Sequence, residues 1–155
     1  MVLEHAVDGD AVHMLRRIAS AALVAASSIT PLESNADDCL KYEPVTVSIS
    51  GVVRRQEFPG PPNYEDVNAG DRPEVYWILD LTSPICVDAD PTSGGLNDAV
   101  SGVRHVQLVL DADQYARYRP LIGSRVSATG TLNGAITAHH KTPVLLTVSS
   151  VDSLR

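Results

Sequence analysis

Aromatic side chains are scarce in this chain of 155 residues, which has one Phe, one Trp and five Tyr. Single-strand nucleic-acid binders stack bases on aromatics over a basic groove. A basic excess is missing too, since 12 Lys and Arg stand against 19 Asp and Glu, for a net charge of -7. That balance also argues against a duplex-binding surface that tracks phosphates. No apolar run nears the ~20 residues a helix needs to cross a bilayer. The chain contains no Gly-rich phosphate loop, no nucleophile elbow and no His-Glu-x-x-His. What remains is an ordinary composition, 44% hydrophobic and 20% charged, which suits a single soluble domain.

The first residues read as processing. Met14-Leu15-Arg16-Arg17 precedes Ile18 to Ile29, a stretch built from Ala, Ile, Leu, Val and Ser, and then Thr30-Pro31. A basic start followed by a short apolar run is the pattern of a secretory signal. Ser34-Asn35-Ala36 offers small residues for cleavage after Ala36, and Met14 is the expected start of translation. The expected mature domain is residues 37–155, a single unit with 10 basic and 15 acidic residues. Cys39 and Cys86 are the only cysteines, an even count in an exported chain, so a disulfide is expected. Asn35-Ala36-Asp37-Asp38 is not a lipobox, and lipid anchoring is not expected.

The mature chain reads as five strands and one helix. Val45, Val47, Ile49, Gly51 and Val53 alternate with Thr46, Ser48, Ser50 and Val52, and Val75, Trp77, Leu79 and Leu81 repeat the period of two before Pro84. Val106, Leu108 and Leu110 form the third strand. Asp111 and Gln114 have capping-box spacing, so a short helix carrying Tyr115 and Tyr118 should start there and stop near Pro120 or Gly123. Val126, Ala128, Gly130 and Leu132 form strand four, with a tight turn expected at Asn133-Gly134 and a bend allowed by Gly130. Val144, Leu146 and Val148 make strand five. Three strands, a helix, then two strands is the order of the five-stranded Greek-key barrel called the OB-fold. An immunoglobulin-like sandwich needs about seven strands and no such helix.

Two loops flank the binding face of that barrel. The first is expected from Gln56 to Glu74, nineteen residues rich in Pro and Gly. Its prolines favour a stiff extended path that would present Phe58, Asn63 and Tyr64 to a ligand. The second holds His139 and His140 beside Lys141. Adjacent histidines on extended backbone point to opposite sides, so they would not share one ion, and three or four ligands are wanted for zinc. Titration near neutral pH is their other possible use. Asp88, Asp90 and Asp98 near Gly94-Gly95 lack EF-hand spacing and read as a solvated turn.

Several blocks together carry a family resemblance. They are Cys39 with Tyr42-Glu43-Pro44, the run Phe58 to Glu65, Trp77, Pro84-Ile85-Cys86-Val87, Gly130-Thr131-Leu132, and His139-His140 with Thr142 to Leu146. In these the chain resembles the bacterial domain-of-unknown-function family 4431, which is marked by a Gly-Thr-Leu signature. The resemblance spans nearly all of the expected mature chain. It implies an exported bacterial context and transfers no catalytic residue. Lys141 stands where relatives in that family often carry a third His.

The expectation is therefore a periplasmic or secreted OB-fold-like module, not an enzyme. It would bind an envelope protein or glycan through Phe58, Asn63, Tyr64, His139 and His140. No metal, cofactor, nucleic acid or membrane span is expected, and the oligomeric state is left open. Two rival readings are a metal-dependent protein built on His139 and His140, and a single-stranded nucleic-acid binder.

Overall fold

The computed structural model describes residues 38–155. The expected start, leader and cleavage site lie outside the described residues. Five strands and one short α-helix follow in the order β1 (Thr46–Pro59), β2 (Pro73–Val87), β3 (Val100–Val109), α1 (Ala112–Tyr118), β4 (Arg125–Gly134) and β5 (Val144–Ser153). The strands pair in the order β1-β2-β3-β5-β4, and β4 returns to β1, so the sheet closes on itself. Each pairing is antiparallel except β3 with β5, which is parallel and confined to Gln107–Val109 against Leu145–Thr147.

The period of two sends one side of each strand into the ring. Leu79, Val106, Val126, Ala128, Leu132 and Leu146 are fully enclosed there. Helix α1 forms where the capping box was expected. The Gln114 N–H donates to Asp111 Oδ1 (2.8 Å), and the Asp111 N–H donates to Gln114 Oε1 (2.9 Å), which satisfies two amides that a helix start otherwise leaves unpaired. Tyr118 is buried, and Tyr115 meets Trp77 edge to face at 5.1 Å. A 3-10 turn at Arg119–Leu121 ends the helix, and Gly123, at φ 83°, turns the chain into β4.

Cys39 and Cys86 are joined, their Cα atoms 4.7 Å apart. Beside the bridge the Leu40 N–H donates to the Cys86 carbonyl, and the Asp88 N–H donates to the Leu40 carbonyl. Lys41 forms an ion pair with Asp88.

Several sequence expectations are corrected. The first long loop is shorter than Gln56 to Glu74, because Gln56, Glu57, Phe58 and Pro59 pair with Tyr76, Val75, Glu74 and Pro73 as a hairpin extension of β1 and β2. Pro59 and Pro73 sit at the strand ends, where a missing N–H breaks no interior ladder. Phe58 is therefore a strand residue. Asn133-Gly134 is not a tight turn, since both residues pair with β5, and the connection runs through 135–143. Strand β2 does not stop at Pro84; it continues to Val87 through register shifts against β3. Strands β3 and β5 are longer than expected, and β3 begins at Val100.

Candidate functional site

On the outer face of β1, β2 and β3 the alternation that fills the ring presents Gln56 and Phe58, then Tyr76, Ile78 and Asp80, then His105 and Gln107. Ile78 points away from the core and is nonetheless 1% exposed. It pairs with Gln107, and Gln107 pairs with Leu145, so a row of three outward residues is buried. The cover is the 135–143 connection. The Gln107 N–H donates to Thr142 Oγ1 (2.8 Å), its amide nitrogen to the His139 carbonyl (3.2 Å), and its amide oxygen accepts from the Lys141 N–H (2.7 Å). A buried polar side chain with all its groups satisfied fixes its neighbours, and Gln107 thereby sets the position of the β4–β5 connection.

Between that connection and the strands lies a cleft of about 570 Å³. Ile78 and Phe58 give it an apolar floor and wall, residues 100–105 of β3 form one side, and Lys141, Thr142 and Pro143 the other. Its lining includes Arg104, His105 and Lys141 and no carboxylate. At its margin Asp80 is held between Arg54 Nε (2.5 Å) and His105 Nδ1 (2.9 Å).

At one end of the cleft the two loops meet through His139. Tyr76 Oη donates to Glu74 Oε2 (2.6 Å) and lies 3.0 Å from His139 Nδ1, which is also 3.3 Å from Glu74 Oε2. The opposite ring nitrogen, Nε2, is 3.2 Å from Tyr64 Oη. Because the Tyr76 proton is committed to Glu74, a neutral His139 with its proton on Nδ1 donates to Tyr76 and accepts from Tyr64. The Lys141 ammonium donates to the Pro59 and Ala138 carbonyls and lies 5.0 Å from the Tyr64 ring centroid. The Tyr76 hydroxyl bond, with His139 and Lys141, holds the Glu74 carboxyl below its ordinary range. Burial and the Glu74 carboxylate push the Tyr76 phenol well up.

The 60–72 loop is organised from within. Asp71, almost fully buried, accepts backbone N–H bonds from Asn63, Glu65 and Asp66, and these bonds hold its carboxyl low. Tyr64 takes the left-handed conformation (φ 62°), uncommon for a residue with a Cβ.

The sequence-chosen residues thus divide. Phe58, Tyr64 and His139 come together around Tyr76: Phe58 meets that ring at 6.0 Å, and His139 bonds to its hydroxyl. Asn63 is exposed and turned to the loop itself, its backbone N–H donating to Asp71 Oδ1 (2.8 Å). His140 points elsewhere, its Nδ1 accepting from the Ile136 N–H (2.9 Å). Tyr76, Glu74, Gln107 and the β3 side of the cleft were not singled out from sequence. A signal existed at Tyr76 and Ile78, two apolar residues at neighbouring positions on a face expected to be wet.

The His140 bond makes a pH prediction. An imidazole that accepts at Nδ1 must be unprotonated there, and burial, then the neighbouring His139, lower its pKa from the ordinary 6.5. The unfolded chain then takes up the proton first as pH falls, so this stability is present above about 6.5 and is lost as pH drops through the folded value. The urea midpoint should fall between pH 7 and pH 5, and His140→Asn should flatten that part of the profile. An unchanged slope in the variant would refute the assignment.

The family model of Domain of unknown function (DUF4431) matches residues 105–152, from the second half of β3 to the end of β5. This is the family the sequence resembles, but the match takes in only the Gly130-Thr131-Leu132 and His139 to Leu146 blocks and not those at Cys39, Phe58 to Glu65, Trp77 and Pro84 to Val87. No curated protein and no solved structure matches the chain.

Proposed function

We propose that this chain is an exported, non-enzymatic binding module with an OB-type Greek-key barrel, and that its ligand lies in the cleft on the outer face of β1–β3. The strand order β1-β2-β3-β5-β4, the helix between β3 and β4 and the parallel contact of β3 with β5 support the barrel assignment. Export is supported by the basic and apolar leader pattern and by the disulfide, which persists in oxidising compartments. The observation that carries the binding reading is the cleft itself. It joins an apolar floor to a few directed polar groups, the usual make-up of a recognition site, and is walled on one side by the β4–β5 connection, one of the loops that flank the OB binding face.

A binding role accounts for the polar groups better than catalysis does. Asp80 is committed to Arg54 and His105, and among the described residues no Ser or Thr hydroxyl bonds to a histidine. His139 and His140 are engaged separately, which gives the metal reading no support. Scarce aromatics and net acidity give the nucleic-acid reading none.

The test titrates isotope-labelled protein with fractionated envelope proteins and envelope glycans while amide resonances are followed. Saturable shifts are expected at Phe58, residues 101–105 and Lys141. Phe58→Ala should weaken binding about tenfold, about 1.4 kcal/mol, with the remaining spectrum unchanged. Saturable shifts confined to another surface would overturn the assignment.

A further inference from the structure

The cleft has a property that loops and side chains alone do not give it. Strand β3 pairs with β2 along most of its length, from Val100 to Leu108, whereas its pairing with β5 is limited to Gln107–Val109. On the β5 side the stretch from Val100 to Val106 has no strand beside it, and among the described residues no other backbone group bonds to it. Just beyond, the Gln107 N–H on that same side is taken by the Thr142 hydroxyl. The sheet thus has an open edge where the ring would otherwise continue, and Ser101, Gly102, Arg104 and His105 along it are exposed. An open edge presents alternating donors and acceptors to any extended chain.

We propose that this open side of β3 receives an extended, acidic peptide segment of a partner protein, which adds as a further strand. The proposal rests on the cleft reading above and names its occupant. Three observations select it. The seven residues from Val100 to Val106, bent at Gly102 (φ 68°), give a docking length of at most about 20 Å at about 3.3 Å per step, enough for a peptide of about six residues. The large cleft shares Val100 and Pro143 with a second one of about 360 Å³, where Leu96 and Ile136 stand exposed, so the apolar floor continues for alternate side chains. The charge lining the larger cleft is cationic, from Arg104 and Lys141; the one carboxylate, Asp98, lines the far end. Arg104 has no ion-pair partner among the described residues. Edge-to-edge pairing with a second copy would set Arg104 near its own duplicate, and this repulsion disfavours self-association. Main-chain bonds would supply affinity and the cationic wall the preference for acidic side chains.

The experiment uses the full chain and capped hexapeptides in which Val alternates with Glu, Lys or Ser. Further probes are the Glu peptide N-methylated at alternate amides in each of the two registers, and an oligogalacturonate. Binding is read by calorimetry and by amide hydrogen exchange. The Glu peptide should bind at least about tenfold more tightly than the Lys peptide and slow exchange within residues 101–105. N-methylation should abolish binding in one register and not the other, and Arg104→Glu should reverse the charge preference. Equal binding of Glu and Lys peptides, indifference to N-methylation in both registers, or no binding of the Glu peptide would overturn the proposal. If oligogalacturonate alone occupies the cleft, the peptide inference fails and the cleft reading stands. If no probe or envelope fraction perturbs the cleft, both fail.

Discussion

Replacing Cys39 and Cys86 by Ala together is expected to lower the unfolding free energy by about 4 kcal/mol, the loop-entropy value for a closed loop of about 48 residues. Against a typical domain stability of about 5–15 kcal/mol this is a large fraction, and for a domain of this size it corresponds to a fall in Tm of about 15 °C. The effect lies mainly in the unfolded chain, because the bridge encloses all of β1 and most of β2. The native fold should survive, since the Leu40 and Asp88 amides still dock the N-terminal segment beside Val87, and Val87 is itself buried. Urea unfolding of wild type with and without reductant, beside the double variant, measures it. A loss below about 1 kcal/mol would show that the unfolded state is already compact across this span.

Gly130→Ala should cost about 3 kcal/mol, at the upper end for overpacking a tight site. A Cβ at Gly130 would press on the Thr147 carbonyl oxygen, and would sit 2.9 Å from that carbonyl carbon and 3.1 Å from the Val148 Cα. All three are backbone atoms of β5, which β4 and β3 hold from its two sides, so none can swing away as a flexible side chain would. The crowding arises where the register slips between Thr129 and Gly130, with β5 contributing an extra residue, Ser149. A bulge of this kind increases local twist. Ser127→Ala, on the outer side of the same strand, is the control and should cost no more than about 1 kcal/mol, the net worth of its hydroxyl bond to Ser48. If Gly130→Ala unfolds at the same urea midpoint as Ser127→Ala, the packing explanation is wrong. The Gly of the Gly130-Thr131-Leu132 block is thus accounted for by strand packing, without a part in ligand binding.

The errors in the sequence reading have a common physical origin. Alternation marks a strand only where one face is dry, so Val45 to Val53 was visible and the extension through Gln56 and Phe58 was not. There β1 and β2 run beyond the enclosed core, and backbone pairing alone defines the strand. Asn133-Gly134 has the composition of a tight turn, but Leu145 and Val144 pair with those two residues and carry the strand on. Tertiary pairing overrode a local preference, as it often does in sheets. His139 and His140 look equivalent on paper. In the fold one ring joins Tyr64 to Tyr76, and the other closes the Ile136–His140 turn.

The amino-acid sequence by itself determined the elements whose signals are local. Period-two apolar residues, the Asp111 and Gln114 capping box and an even pair of cysteines are legible without knowing what they pack against. Only the tertiary structure decided which strands become neighbours and where the pairing stops. The open side of β3, the row of Ile78, Gln107 and Leu145 sealed under the β4–β5 connection, and the grouping of Glu74, Tyr76, Tyr64 and Lys141 around His139 all follow from that. Each depends on residues tens of positions apart meeting across a sheet. Such a meeting is fixed by closure of the whole ring, which no short window of sequence contains.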